Sequence, residues 1–246
     1  MTDKPPVLIL GARSDIGMAT AHRFAAEGHP VPLAARDVGT LETDRADIAL
    51  RHDVEATLHE YDALDTEGFS ALAEGLDPQP GIVVAVVGLL GDQIADQGDA
   101  AAATRVLRTN FEGPALALEY FAGRMEASGE GVLVGISSVA GDRGRASNYI
   151  YGAAKAGFTA YLSGLRNRLA KTGVHVLTVK PGFVDTRMTE GMDLPKALTT
   201  TPEAVAETIV KAVQRRRNVV YVKPIWRLVM MIIRLIPEPV FKKTSL

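Results

Sequence analysis

Residues 7–17 read "VLILGARSDIG", and this stretch decides how the rest of the chain is read. Its four leading apolar residues lack polar alternation, as in a strand buried on both faces of a sheet. Gly11 and Gly17 then frame a turn into a helix expected over 17–27. Backbone N–H groups at a helix N-terminus carry partial positive charge, so such a turn is suited to seat a pyrophosphate. Gly11, Arg13, Ser14, Asp15, Ile16 and Gly17 are therefore candidate cofactor-binding residues. Glycine also ends strands for ordinary steric reasons, so the turn needs support from elsewhere. Asp15 is the odd member of the set. Aspartate is a favoured N-cap, and its carboxylate is expected to turn away from the anion and accept from the N–H of Gly17 or Met18.

Apolar runs at 31–35, 81–88, 131–137, 174–180 and 219–222, with a weaker one at 56–62, alternate with stretches of helical period such as 152–171. The alternation predicts a Rossmann-type, doubly wound α/β fold with a parallel sheet. One domain suits 246 residues, with 1–224 as its body and 225–246 as a C-terminal extension. In such a fold the end of the second strand meets the adenosine ribose. Arg36 lies there, 19 residues past Gly17, where an arginine suits a 2′-phosphate and an acidic residue would suit a free hydroxyl. NADP is expected over NAD, with Arg13 as a second cation. The alternative for either arginine alone is a solvated surface charge.

The chemistry-bearing cluster is "NYIYGAAKAGF" at 148–158. Tyr151 and Lys155 are four apart, on one face of a helix. An ammonium near Tyr151 would lower the phenol's pKa toward the range of a general acid or base. Thirteen residues before Tyr151, "SSVAG" ends a buried strand with hydroxyls.

Together these motifs resemble the short-chain dehydrogenase/reductase family, from Gly11 to about Val222. They stand in family order: the glycine turn, Asn110 in "RTNFEG", Ser138, Tyr151 with Lys155, and "KPGFVDTRM" at 180–188. The resemblance implies that Tyr151 moves a proton at the substrate oxygen while the nicotinamide moves hydride at carbon. It implies that Ser138 polarises that oxygen, that Lys155 holds the nicotinamide ribose and tunes Tyr151, and that Asn110 supports a water feeding protons to Lys155. Pro181, Gly182, Val184 and Thr186 would close over the cofactor, Asp62 and Ala63 would meet the adenine, and Gly88 remains of the family's Asn-Asn-Ala-Gly. Family spacing selects Ser138 over Ser137 and Tyr151 over Tyr149. No metal is expected, since His52 and His59 lack tight ligand spacing.

Net charge is −2, unevenly spread: nine of 27 basic residues but one of 29 acidic residues lie from Lys211 onward. There "IWRLVMMIIRLI" at 225–236 is too short and too interrupted by arginine to span a bilayer. Arg227 and Arg234 share one stripe of a helix that is otherwise apolar. Contact with an anionic membrane surface, packing on the body or a second subunit, and walling the substrate pocket all stay open. The "SDIG" turn with this tail resembles, within the family, reductases of decaprenylphosphoryl-2-keto-pentose. That implies reduction by NADPH of a bulky, lipid-linked keto-sugar or similar lipophilic carbonyl. The alternatives are a keto-lipid reductase without a sugar, or a cofactor-sensing or membrane-docked binding protein without turnover. A cytoplasmic homo-oligomer, or one at the cytoplasmic face of a membrane, is expected, with no nucleic-acid partner; the absence of cysteine suits a reducing compartment.

Overall fold

The computed structural model describes residues 4–244. Seven parallel strands form one sheet: β1 (Val7–Leu10), β2 (Val31–Ala35), β3 (Ala56–Glu60), β4 (Ile82–Ala85), β5 (Gly131–Ile136), β6 (Val174–Lys180) and, after the two strands of a small second sheet, β9 (Val219–Tyr221). Their order is β3-β2-β1-β4-β5-β6-β9. Each central strand is an apolar run because both faces are covered. Val7 and Ile9 point into one core layer, with Phe24, Ile48 and Ile209, while Leu8 and Leu10 point into the other, with Leu118, Phe158 and Leu162. Full burial of such a side chain contributes about 1.5–3 kcal/mol.

The first layer is covered by α1 (Asp15–Ala25), α2 (Glu42–His52) and α8 (Pro202–Gln214). The second is covered by α3 (Gly68–Gly75), α6 (Gly113–Ser128) and α7 (Tyr149–Arg168), with α4 (Gln93–Asp96) and α5 (Ala100–Leu107) beside α7. The small sheet pairs β7 (Phe183–Val184) with β8 (Thr199–Thr200). The chain ends in α9 (Ile225–Leu235) and α10 (Glu238–Phe241).

Sheet order reverses at β1, where the chain crosses from β3 to β4 on its other side. In an open parallel sheet the crevice at such a switch point, beyond the carboxyl ends of the strands, is where ligands bind. Gly11 turns the chain there with φ +98°, and a Cβ would come within 3.1 Å of the Val86 backbone. Only glycine fits both the conformation and the approach of β4.

Candidate active site

A cleft opens at this switch point. Gly11, Arg13, Ser14, Arg36, Asp62, Ala63 and Gly88 line it, joined by Tyr61, Val87 and Arg105. The wall supplies the cations and close backbone that a dinucleotide phosphate needs, so the residues present fit NADP. Arg36 is exposed at the end of β2, while Arg13 hydrogen-bonds the Arg36 carbonyl at 3.2 Å and pairs with Asp37 at 3.1 Å. The charge Arg13 presents to the cleft is thus partly offset. Arg105 adds a cation that no spacing rule singled out, because it enters from α5, far along the chain.

The other residues of the glycine turn shape it from behind. Ser14, not Asp15, caps α1: its Oγ accepts from the Gly17 N–H at 3.0 Å and donates to the Gly11 carbonyl at 2.8 Å. The expectation for Asp15 is corrected because the helix starts at Asp15, two residues before the expected start at 17. Asp15 sits in the first turn and accepts from the backbone N–H and the Nε of Arg187, both at 2.8 Å. It latches the segment after β7 onto α1. Ile16 packs against the core, and Gly17 is buried under the Gly11 carbonyl.

Residues 181–186 are held in place by packing and backbone contacts. Pro181 accepts from the Val139 N–H at 3.0 Å, Val184 is buried, and Thr186 caps the short helical turn Arg187–Thr189. Gly182 lies under Trp226 of α9, whose ring occupies the space of a Cβ. Trp226 also donates from Nε1 to the Leu198 carbonyl at 3.1 Å. Thus packing on the body is realised by one face of α9: Trp226, Met230 and Ile233 cluster with Val139, the residue after Ser138.

The end of β5 delivers two serines with different tasks. Ser137 Oγ turns into α7, donating to the Lys155 carbonyl at 3.0 Å and meeting Thr159 Oγ1 at 2.6 Å. Ser138 is extended; its Oγ accepts from the Ala140 N–H at 3.1 Å. The following turn is fixed by Asp142, which accepts from Lys180 Nζ and from Tyr221 Oη. At the start of α7, Gln93 Oε1 accepts the Ile150 N–H at 3.0 Å, satisfying an orphan donor of the helix that carries Tyr151. Tyr149 points elsewhere, toward Gln97.

Lys155 is buried, and its Nζ donates to the carbonyls of Ile136 at 3.0 Å and Val87 at 3.3 Å. It lies 5.8 Å from the centroid of the Tyr151 ring. Burial lowers its pKa to about 7. Burial also raises Tyr151 to about 12, against a smaller downward pull from Ser138. The expectation of a lowered phenol pKa is therefore corrected. Removing phenolate from water costs more than Ser138 returns.

Asn110 is fully buried within a π-helical turn, Arg108–Glu112, that joins α5 to α6. Its amide donates to the carbonyls of Leu89 at 2.7 Å and Val106 at 2.8 Å, and accepts the Leu89 N–H at 3.1 Å. The side chain thus anchors the loop after Gly88. A π-turn leaves the regular carbonyl ladder, and such turns concentrate at functional sites.

The family model described as short chain dehydrogenase matches residues 6–196. An uncharacterized oxidoreductase of Mycobacterium tuberculosis is 38% identical over 245 residues, 98% of either chain. A 3-oxoacyl acyl-carrier-protein reductase of Mycobacterium avium is 30% identical over 187 residues, 76% of this chain and 70% of its own. Among solved structures, a short-chain dehydrogenase from Sphingobium yanoikuyae in complex with NADPH aligns with a TM-score of 0.83 at 26% identity, covering 96% of this chain and 97% of that one.

Proposed function

This chain belongs to the short-chain dehydrogenase family, and on that premise we propose that it reduces a ketone to a secondary alcohol with NADPH. The observation that carries the reading is a buried Lys155, held on two carbonyls 5.8 Å from the centroid of the Tyr151 ring, with Ser138 just past the end of the strand whose last carbonyl Lys155 grips. NADPH, when bound, supplies the hydride. Tyr151, with a pKa of about 12, holds its proton at neutral pH and is suited to donate it. Ser138 hydrogen-bonds the carbonyl oxygen and steadies the negative charge that gathers there. As an ammonium, Lys155 stabilises the phenolate left on Tyr151, and a water at the Asn110 turn returns the proton through Lys155.

Arg36 favours the 2′-phosphate of NADPH, supported by the NADPH held in the relative from Sphingobium yanoikuyae. The glycine turn, the 62–63 pair and Gly88 frame the cofactor, and Pro181, Gly182, Val184 and Thr186 close over it. For the substrate we favour a bulky lipophilic ketone, a lipid-linked keto-sugar being the narrower case, acted on by a homo-oligomer. The apolar tail packed beside Val139 supports that reading. Reduction of a keto-lipid without a sugar is the second reading, favoured by the likeness to the 3-oxoacyl reductase.

The test is NADPH oxidation with a panel of soluble and amphiphilic ketones. Tyr151→Phe should lower kcat by about 10²–10⁴-fold while NADPH binding survives, the range expected for a lost general acid. Equal turnover in wild type and variant would overturn the mechanism.

A further inference from the structure

We propose that the outward face of α9 docks on an anionic lipid surface, with a basic hollow beside it taking a lipid headgroup. The helix has two apolar faces, and the body uses only one. Trp226, Met230 and Ile233 are buried, whereas Ile225, Leu228, Met231, Ile232 and Leu235 remain 46% to 74% exposed. With 3.6 residues per turn, these five exposed side chains form one unbroken arc of about 120°. Arg227 and Arg234 fall about 20° apart along the edge of that arc. Val240, on α10, is exposed as well.

The surrounding charge selects the occupant. Beside the start of α9 lies a shallow hollow lined by Arg217, Val219, Val220, Tyr221, Pro224 and Arg227. Among the described residues neither Arg217 nor Arg227 makes an ion pair, and both are exposed. Lys242 and Lys243 are also exposed at the far end of the segment. Its sole carboxylate, Glu238, is engaged by Arg143 at 2.9 Å. A second copy seated on this face by a two-fold axis would bring arginines to arginines without a carboxylate between them. Phosphate-bearing lipids supply both the apolar depth and the negative charge.

The face is also presented ready-made. Arg143 donates to the carbonyls of Ile233 at 2.7 Å and Ile236 at 2.6 Å, closing the C-terminus of α9, and stacks on Phe241 at 3.6 Å. Arg143 belongs to the segment between Ser138 and Tyr151. Docking therefore sets the segment that carries the catalytic pair beside the lipid surface, where an amphiphilic ketone resides. In a monotopic contact of this kind the helix lies in the interface, and no helix among the described residues is long and apolar enough to cross a membrane.

Flotation of the full chain with vesicles tests the proposal, using pure phosphatidylcholine and phosphatidylcholine with phosphatidylglycerol. Wild type should float with the anionic vesicles at least tenfold more than with the neutral ones, and high salt should reduce the difference. The triple variant Leu228→Gln, Ile232→Gln, Leu235→Gln should lose flotation, and Arg217→Gln with Arg227→Gln should lose only the preference for phosphatidylglycerol. Melting curves and NADPH binding should stay at wild-type values in both variants, because the altered side chains are exposed. Unchanged flotation of the triple variant would overturn the proposal, as would a fall in oligomer size in that variant with no vesicle binding by wild type, which would give the face to a second copy. Vesicle binding needs no turnover, so its failure would leave the reductase reading standing.

Discussion

Lys155 and Arg36 are cations at opposite ends of the candidate site, and they are held in opposite ways. Lys155 is buried, fixed on the carbonyls of Ile136 and Val87, with its pKa lowered to about 7. Arg36 stands exposed at the end of β2. Lys155 Nζ has two fixed acceptors, and burial magnifies what such a charge does to its neighbours. Around Arg36 charges pair loosely in water, where each interaction is worth little and salt screens it. Under the proposed function, the Lys155 end suits tuned proton chemistry and the Arg36 end suits phosphate recognition by summed weak contacts.

Of the variants that set these two ends apart, Lys155→Met should have the largest effect, since on the proposed mechanism it removes the cation that steadies the Tyr151 phenolate. kcat should fall by about 10²-fold or more, with a distinct signature in stability. Lys155 has a folded pKa of about 7 against 10.5 unfolded, so its charged form is penalised by the fold. That penalty is complete below pH 7 and is relieved as pH rises toward 10.5, because the unfolded chain binds the extra proton across that window. The variant should therefore gain on the wild type in Tm at pH 6, and the advantage should shrink steadily toward pH 10. An offset that stays constant with pH would mean that Lys155 is not desolvated in solution.

An intermediate effect is expected at the exposed end. Arg36→Ala should raise KM for NADPH on the order of tenfold, the loss of one charge-assisted contact, while KM for NADH stays put. If both cofactors weaken equally, Arg36 supports the strand end and does not read the phosphate. The difference between wild type and variant should also narrow in high salt, as the comparison with Lys155 requires.

The smallest effects separate Ser14 from Asp15. Ser14→Ala removes the cap of α1 and should cost about 1 kcal/mol in denaturant unfolding. Asp15→Asn should cost less than about 1 kcal/mol, since its partner Arg187 is mostly exposed. Its consequence should appear instead in a KM for NADPH raised about twofold to threefold, as the latch on 187–189 loosens. A larger stability loss at Asp15 than at Ser14 would reverse the assignment of the cap.

The sheet was legible because a strand covered on both faces must be apolar throughout, and β1, β2 and β6 match the runs read at 7–10, 31–35 and 174–180. The members of the candidate reaction end were legible too, since Tyr151 and Lys155 share a helix and Ser138 ends a strand. What could not be read locally was the partner of Asp15. Serine and aspartate are both good caps, and Arg187 lies 172 residues away. The pKa of Tyr151 was misjudged for a related reason. Spacing reports that a lysine is near, but desolvation depends on everything packed around it. The tail hid its inner face likewise, because only the folded chain brings Gly182 under Trp226.

That last contact makes the molecule its own optical instrument. Trp226 is the single tryptophan of the chain, and its indole rests on Gly182 and against Phe183 with ring centroids 5.3 Å apart. Any change in how α9 seats on the 181–186 segment must alter the polarity around that indole, and reduced nicotinamide in the neighbouring cleft would quench it by energy transfer. Emission from an unlabelled sample therefore carries two messages at once: colour reports the seating of the tail, and intensity reports the arrival of the dinucleotide.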